Sequence, residues 1–172
     1  MSWCGNGNGA DARRFSAILL RLGHERKFSV RGCDFYCNLK DARWNRVQFD
    51  QAVMYKGKLR LMEFDDEDYE GKNHPHRAEK THACGVSNVP FRIFYSRDLW
   101  SGDVEEQILS FVSTRVVGKQ DVIPSPSSWD FVENNLSWQM KRQFYDNGKR
   151  VYGWAKKYIL VGNELRLNHN NY

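Results

Sequence analysis

Two runs, Arg46–Tyr55 and Lys58–Asp65, stand on either side of Lys56-Gly57, and each carries carboxylates in an otherwise apolar or basic stretch. In the first, Val47, Phe49, Gln51 and Val53 alternate with Gln48, Asp50, Ala52 and Met54, the period of a β-strand. In the second, Leu59, Leu61 and Glu63 share a face. Arg60, Met62, Phe64 and Asp65 break strict alternation there, so burial on both faces is expected. The Lys-Gly pair predicts a turn that makes the two strands neighbours. An unpaired charge taken out of water costs several kcal/mol or more, so strands seldom bury acids without a use for them. A hairpin that sets Asp50 near Glu63 and Asp65 builds an oxygen-rich pocket, the kind of site that suits Mg²⁺.

The 172 residues fit one domain with a small appendage, and 41% hydrophobic residues suffice for a core and argue against a disordered chain. A formal net charge of +5 favours a polyanionic partner. Together with a carboxylate-held Mg²⁺, that charge points to phosphodiester chemistry. No apolar run approaches the ~20 residues that cross a bilayer, so no membrane partner is expected. Residues 1–10 are glycine-rich without an apolar stretch and read as a flexible lead-in rather than a signal peptide. The expected compartment is cytoplasmic, with reduced thiols. Cys33 and Cys37 lie four apart, and His82 with Cys84 would complete a structural Zn²⁺ site. Without a C-x-x-C pair, isolated buried thiols are the main expectation.

Along the chain, Phe15, Ile18, Leu19 and Leu22 predict a helix over 11–22, with Gly23 as its stop. Phe28–Val30 reads as a short strand. Residues 74–84 predict a helix with Pro75 in its first turn, 89–95 a third core strand, and 103–117 a helix with Val104, Ile108, Phe111 and Val112 on its apolar stripe. Val122–Ser128 reads as a rigid loop. A further helix is expected from about Trp129 to Phe144, capped by Ser127 or Ser128, and then a hairpin over 158–167 around Gly162-Asn163. This order describes an α/β sandwich around a mixed sheet.

Phe49-Asp50, Glu63-Phe64-Asp65-Asp66, the Arg77–Lys80 segment with Cys84, and Arg92-Ile93-Phe94-Tyr95 occur in an order and spacing that resemble the core of the PD-(D/E)XK nuclease superfamily. The branch with very-short-patch-repair-like, phage and homing endonucleases is the nearest in pattern. The resemblance spans about a third of the chain. It implies a restriction-endonuclease-like α/β fold, with a nuclease-like core over 11–118 and a C-terminal α+β elaboration over 119–172 that grips DNA or supports a dimer. It implies a Mg²⁺-dependent endonuclease acting on DNA, with Mn²⁺ as a substitute ion. Asp50 and Glu63 would hold the metal, with Asp11 of the first helix completing the site.

The same likeness sets Asp65 at the position where the superfamily usually has lysine, a departure that the very-short-patch branch shares. Lys80, His74 and His76 are the candidates for proton or phosphate handling, and Arg43, Arg46, Lys72, Arg77 and Arg97 for phosphate contacts that set register without reading sequence. A homodimer would supply the two active sites that duplex cleavage uses. Asp66 stands where relatives often have glycine and Tyr69 where a histidine often follows. Those departures motivate two alternatives: a nucleic-acid-binding module that has lost the chemistry, and a phage-type protein-interaction factor. The bland expectation for Arg92 is a salt bridge to an acid of the hairpin.

Overall fold

The computed structural model describes residues 9–32, 35–39, 47–65, 77–125, 128, 131, 132 and 135, together with the backbone of 158–161 and 164–167. Helix α1 (Ala10–Arg26) buries Phe15, Leu19 and Leu22 on one side, the spacing expected of an amphipathic helix. It does not stop at Gly23. It runs on to Lys27, which adopts the left-handed conformation at φ 62° and donates its N–H to Gly23 O. Gly23 serves close packing instead. A Cβ there would meet Phe28 O and Val30 Cγ2, both at 2.9 Å.

Strands β1 (Ser29–Arg31), β4 (Gln51–Tyr55), β5 (Lys58–Asp65) and β6 (Phe91–Tyr95) form a four-stranded sheet in the order β1-β4-β5-β6. Its first two pairings are antiparallel and β5–β6 is parallel, so the sheet is mixed. The β4–β5 hairpin turns through Lys56 (φ 51°) and Gly57 (φ 73°), the paired positive values of a tight two-residue turn. A second antiparallel sheet, in the order β3-β2-β7, combines β2 (Phe35–Leu39), β3 (Val47–Phe49) and β7 (Val122–Pro124). The expected continuous strand over 46–55 is therefore two strands in two sheets, separated at Asp50. Part of the expected loop at 122–128 is a strand, with Pro124 at its last position opposite Cys37. Strands β8 (Tyr158–Val161) and β9 (Glu164–Leu167) pair antiparallel, as their turn signal predicts. Most of the helix expected over 129–144 lies outside the described residues.

Helices α1, α3 (Ser96–Leu99) and α4 (Val104–Val112) pack on one side of the mixed sheet against Val53, Met62, Phe64 and Phe94. The Phe15 ring sits 5.0 Å from both Phe64 and Phe94. On the other side, Ala52, Met54, Leu59 and Leu61 meet the second sheet and Ala83 and Cys84 of α2 (Arg77–Val86). This is an α/β arrangement, a mixed sheet flanked by helices. Two-sided burial of β5 follows, which explains why its apolar residues are denser than simple alternation allows.

Helix α4 ends earlier than its apolar stripe predicts. Arg60, buried by its neighbours, donates to Thr114 O at 2.7 Å and to Tyr55 O and Lys58 O, and so satisfies a carbonyl just beyond the helix terminus. The fully buried Gln120 accepts from Leu59 N at 2.9 Å and donates to Leu59 O at 2.8 Å. With β7 in the second sheet, residues 119–125 are woven into the core rather than starting a separate elaboration. Among the described residues no helix is long and apolar enough to cross a membrane.

Candidate functional site

Asp50 is the residue at which the chain leaves one sheet for the other. The β4–β5 register sets Gln51 opposite Met62, so its next step would set Asp50 opposite Glu63 and Phe49 opposite Phe64. Backbone pairing ends before that step because β3 turns away to pair with β2. The carboxylate takes over: Phe64 N–H donates to Asp50 Oδ2 at 2.9 Å. Glu63 and Asp65 lie two residues apart at the end of β5, in line with Leu59 and Leu61 on the face that α2 covers. Three carboxylates thus converge on the seam between the two sheets.

Glu63 is only 4% exposed. Burial pushes its carboxyl up to about 7. Lys80 pulls in the opposite direction, and Asp50 and Asp65 add to the rise. Lys80, one turn into α2, donates from Nζ to Glu63 Oε1, and its ammonium lies 5.3 Å from the centroid of the Phe49 ring. Asp65 is nearly buried, and its Oδ2 has no hydrogen-bond partner. The nearest cation printed for it is Arg77 Nη2 at 3.9 Å, too long for a hydrogen bond. Arg77 itself leaves Nε and Nη2 unbonded. Three carboxylates against one ammonium and one guanidinium leave an excess of negative charge when all are ionised. That excess and the orphaned Asp65 oxygen fit a cation. A carboxyl that titrates near neutrality also fits a proton-transfer role.

Of the sequence candidates, Asp50, Glu63, Asp65, Lys80 and Arg77 are brought together. Asp11 is not among the groups that act on Glu63. It sits on α1, across the sheet, where its Oδ2 accepts from Trp100 Nε1 at 3.3 Å. Arg97 lies over the Tyr95 ring at 4.7 Å, one strand away from Glu63. Arg43, Arg46, Lys72, His74 and His76 lie outside the described residues. Arg92 departs from its expected salt bridge and donates to Gln107 Oε1 at 2.5 Å.

Cys37 and Cys84 are buried free thiols, pushed up by desolvation, whereas His82 on the same helix as Cys84 is exposed. A zinc ligand set would need thiolates and a histidine turned the same way. Cys33 lies outside the described residues, and among those described no group of three or more His, Cys, Asp or Glu side chains is close enough to hold a metal ion.

Sequence reasoning passed over two residues. Cys84, one turn beyond Lys80, is close enough to Glu63 for the two acids to raise one another, which places its thiol at the wall of the site. Trp100 is exposed next to α1, and the only signal for it was a lone aromatic between polar residues in Arg97–Asp103. In comparisons with known proteins, no family model matches the chain, and no curated protein or solved structure matches it.

Proposed function

We propose that this chain is a metal-dependent endonuclease that hydrolyses DNA phosphodiester bonds on a restriction-endonuclease-like core. The observation that carries the reading is the gathering of Asp50, Glu63 and Asp65 around Lys80 at one end of a mixed sheet. Hydrolysis of a phosphodiester needs an activated water and charge stabilisation on the leaving oxygen, which one or two bound Mg²⁺ ions supply. Asp50 and Glu63 would hold the ion, with Mn²⁺ as a substitute, and the unpartnered Asp65 oxygen is the further donor. Lys80 supplies a positive charge for the scissile phosphate or the attacking water. Arg77 and Arg97 supply phosphate contacts at the rim, with a salt-dependent affinity. Cleavage of both strands would come from a homodimer or from two sequential nicks. A DNA substrate sets the work in the cytoplasm of a bacterial or phage-infected cell.

Incubation with supercoiled plasmid and with branched DNA, with and without Mg²⁺, tests the proposal. Metal-dependent nicking is expected, abolished by Asp50→Ala or Glu63→Ala. A folded protein that nicks none of these substrates in Mg²⁺ or Mn²⁺ would overturn it.

The Lys80–Glu63 pair favours one other reading, a nucleic-acid-binding module of the same fold without chemistry. There the ammonium is a permanent partner of the carboxylate. That reading predicts DNA binding that weakens steeply with salt and no rise in melting temperature with Mg²⁺.

A further inference from the structure

We propose that Trp100, together with Tyr95, forms a stacking platform for unpaired nucleobases next to the carboxylate site. The proposal rests on the nucleic-acid reading and narrows its substrate to DNA with bases out of the duplex. Trp100 is 58% exposed, and the only other exposed large hydrophobic among the described residues is Val117. The indole is nevertheless fixed. Its N–H donates to Asp11 Oδ2 at 3.3 Å, and the Arg14 guanidinium lies 4.6 Å from the ring centroid. An exposed ring already held in one orientation loses little freedom when a flat partner lands on it.

Tyr95 repeats the arrangement at the other end of α3. Arg97 lies 4.7 Å and Arg77 5.5 Å from its ring centroid. Tyr95 is also the β6 partner of Asp65, so the platform starts where the carboxylate strand ends. The acids of this surface are engaged: Asp11 on the indole N–H, Asp98 on the backbone N–H of Tyr95 at 2.9 Å. Arg14, Arg77 and Arg97 leave the ring edges basic, which favours a polyanion over a protein partner. A base inside an intact duplex is covered above and below by its neighbours and offers only its edges. Only a base out of the stack presents the face that an aromatic ring matches.

Binding is measured by fluorescence anisotropy of labelled DNA in EDTA, where cleavage plays no part, and circular dichroism confirms folding of each variant. Trp100→Ala should weaken binding of an oligothymidine at least tenfold, which is about 1.4 kcal/mol. It should change binding of a blunt duplex less than twofold, and Trp100→Phe should keep most of the wild-type affinity. An unchanged affinity of Trp100→Ala for oligothymidine would overturn the platform, as would an equal loss on the duplex. Failure of the folded wild type to bind any DNA would overturn it too and point to a protein ligand. Trp100-dependent binding without cleavage in Mg²⁺ would leave the platform standing and remove the nuclease reading alone.

Discussion

The carboxylate of Asp50 accepts the backbone N–H of Phe64 across the point where two sheets part company. One side chain therefore replaces a lost ladder bond and stands beside Glu63. The two roles separate by substitution. Asp50→Asn keeps a carbonyl oxygen to accept the Phe64 N–H, so its stability to urea should stay within about 1 kcal/mol of wild type. Asp50→Ala leaves that N–H without its acceptor and should cost about 1–3 kcal/mol. Both should lose metal-dependent nicking. Equal stabilities of the two variants would remove the structural role.

Glu63 makes stability depend on pH in a defined direction. Burial raises its carboxyl from the ordinary 4.5 to about 7, so the folded state binds the proton more tightly than the unfolded state does. The stabilisation is fully present below about pH 4.5 and is lost as the pH rises to about 7. The interval caps the effect at about 3 kcal/mol. Urea unfolding in EDTA across this range should show wild type losing stability relative to Glu63→Gln as the pH rises. Parallel curves for the two proteins would contradict the burial of a titrating carboxyl at this position.

The hairpin was legible because its signals are local. Lys56-Gly57 dictates a turn, alternation dictates the strands, and adjacency then brings Asp50 and Glu63 together. The break at Asp50 was not legible, since a period of two continues unchanged through a change of sheet. Gly23 read as a helix stop because glycine is a common one, while its actual use, close approach of Phe28 and Val30, depends on tertiary packing. Lys80 was one of several cations in its segment. Only the position of α2 over β5 selects it as the partner of Glu63. Arg92 could be assigned a charge but not a partner, and Gln107, a neutral residue on another helix, took the place of the expected acid.

Gln120 offers a test of how far the core extends. Its amide bonds both the N–H and the C=O of Leu59 and reaches Asn88 O at 3.1 Å, so it acts as a short stretch of strand along β5. Gln120→Leu keeps much of the volume and removes the bonds, which leaves two buried backbone groups unsatisfied. A loss of about 2–4 kcal/mol in urea unfolding is expected from the cost of such groups. A loss below about 0.5 kcal/mol would mean that residues 119–125 are peripheral after all.

Lys80 and Glu63 form a buried pair whose parts can be removed singly or together. Lys80→Met strands a carboxylate at the seam and should cost about 3–5 kcal/mol near pH 8, less near pH 5, where Glu63 holds its own proton. The double variant Lys80→Met/Glu63→Gln should recover most of that loss, because neither charge remains to be buried. Non-additivity in this cycle measures the pair; additive losses would mean that the contact carries no coupling. Metal then separates the two functional readings. If the ammonium competes with Mg²⁺ for Glu63, Lys80→Met should show a larger Mg²⁺-induced rise in melting temperature than wild type, yet cleave DNA about a hundredfold more slowly or worse. If the pair is a permanent structural partner, neither protein responds to Mg²⁺, and Lys80→Met differs from wild type in stability alone.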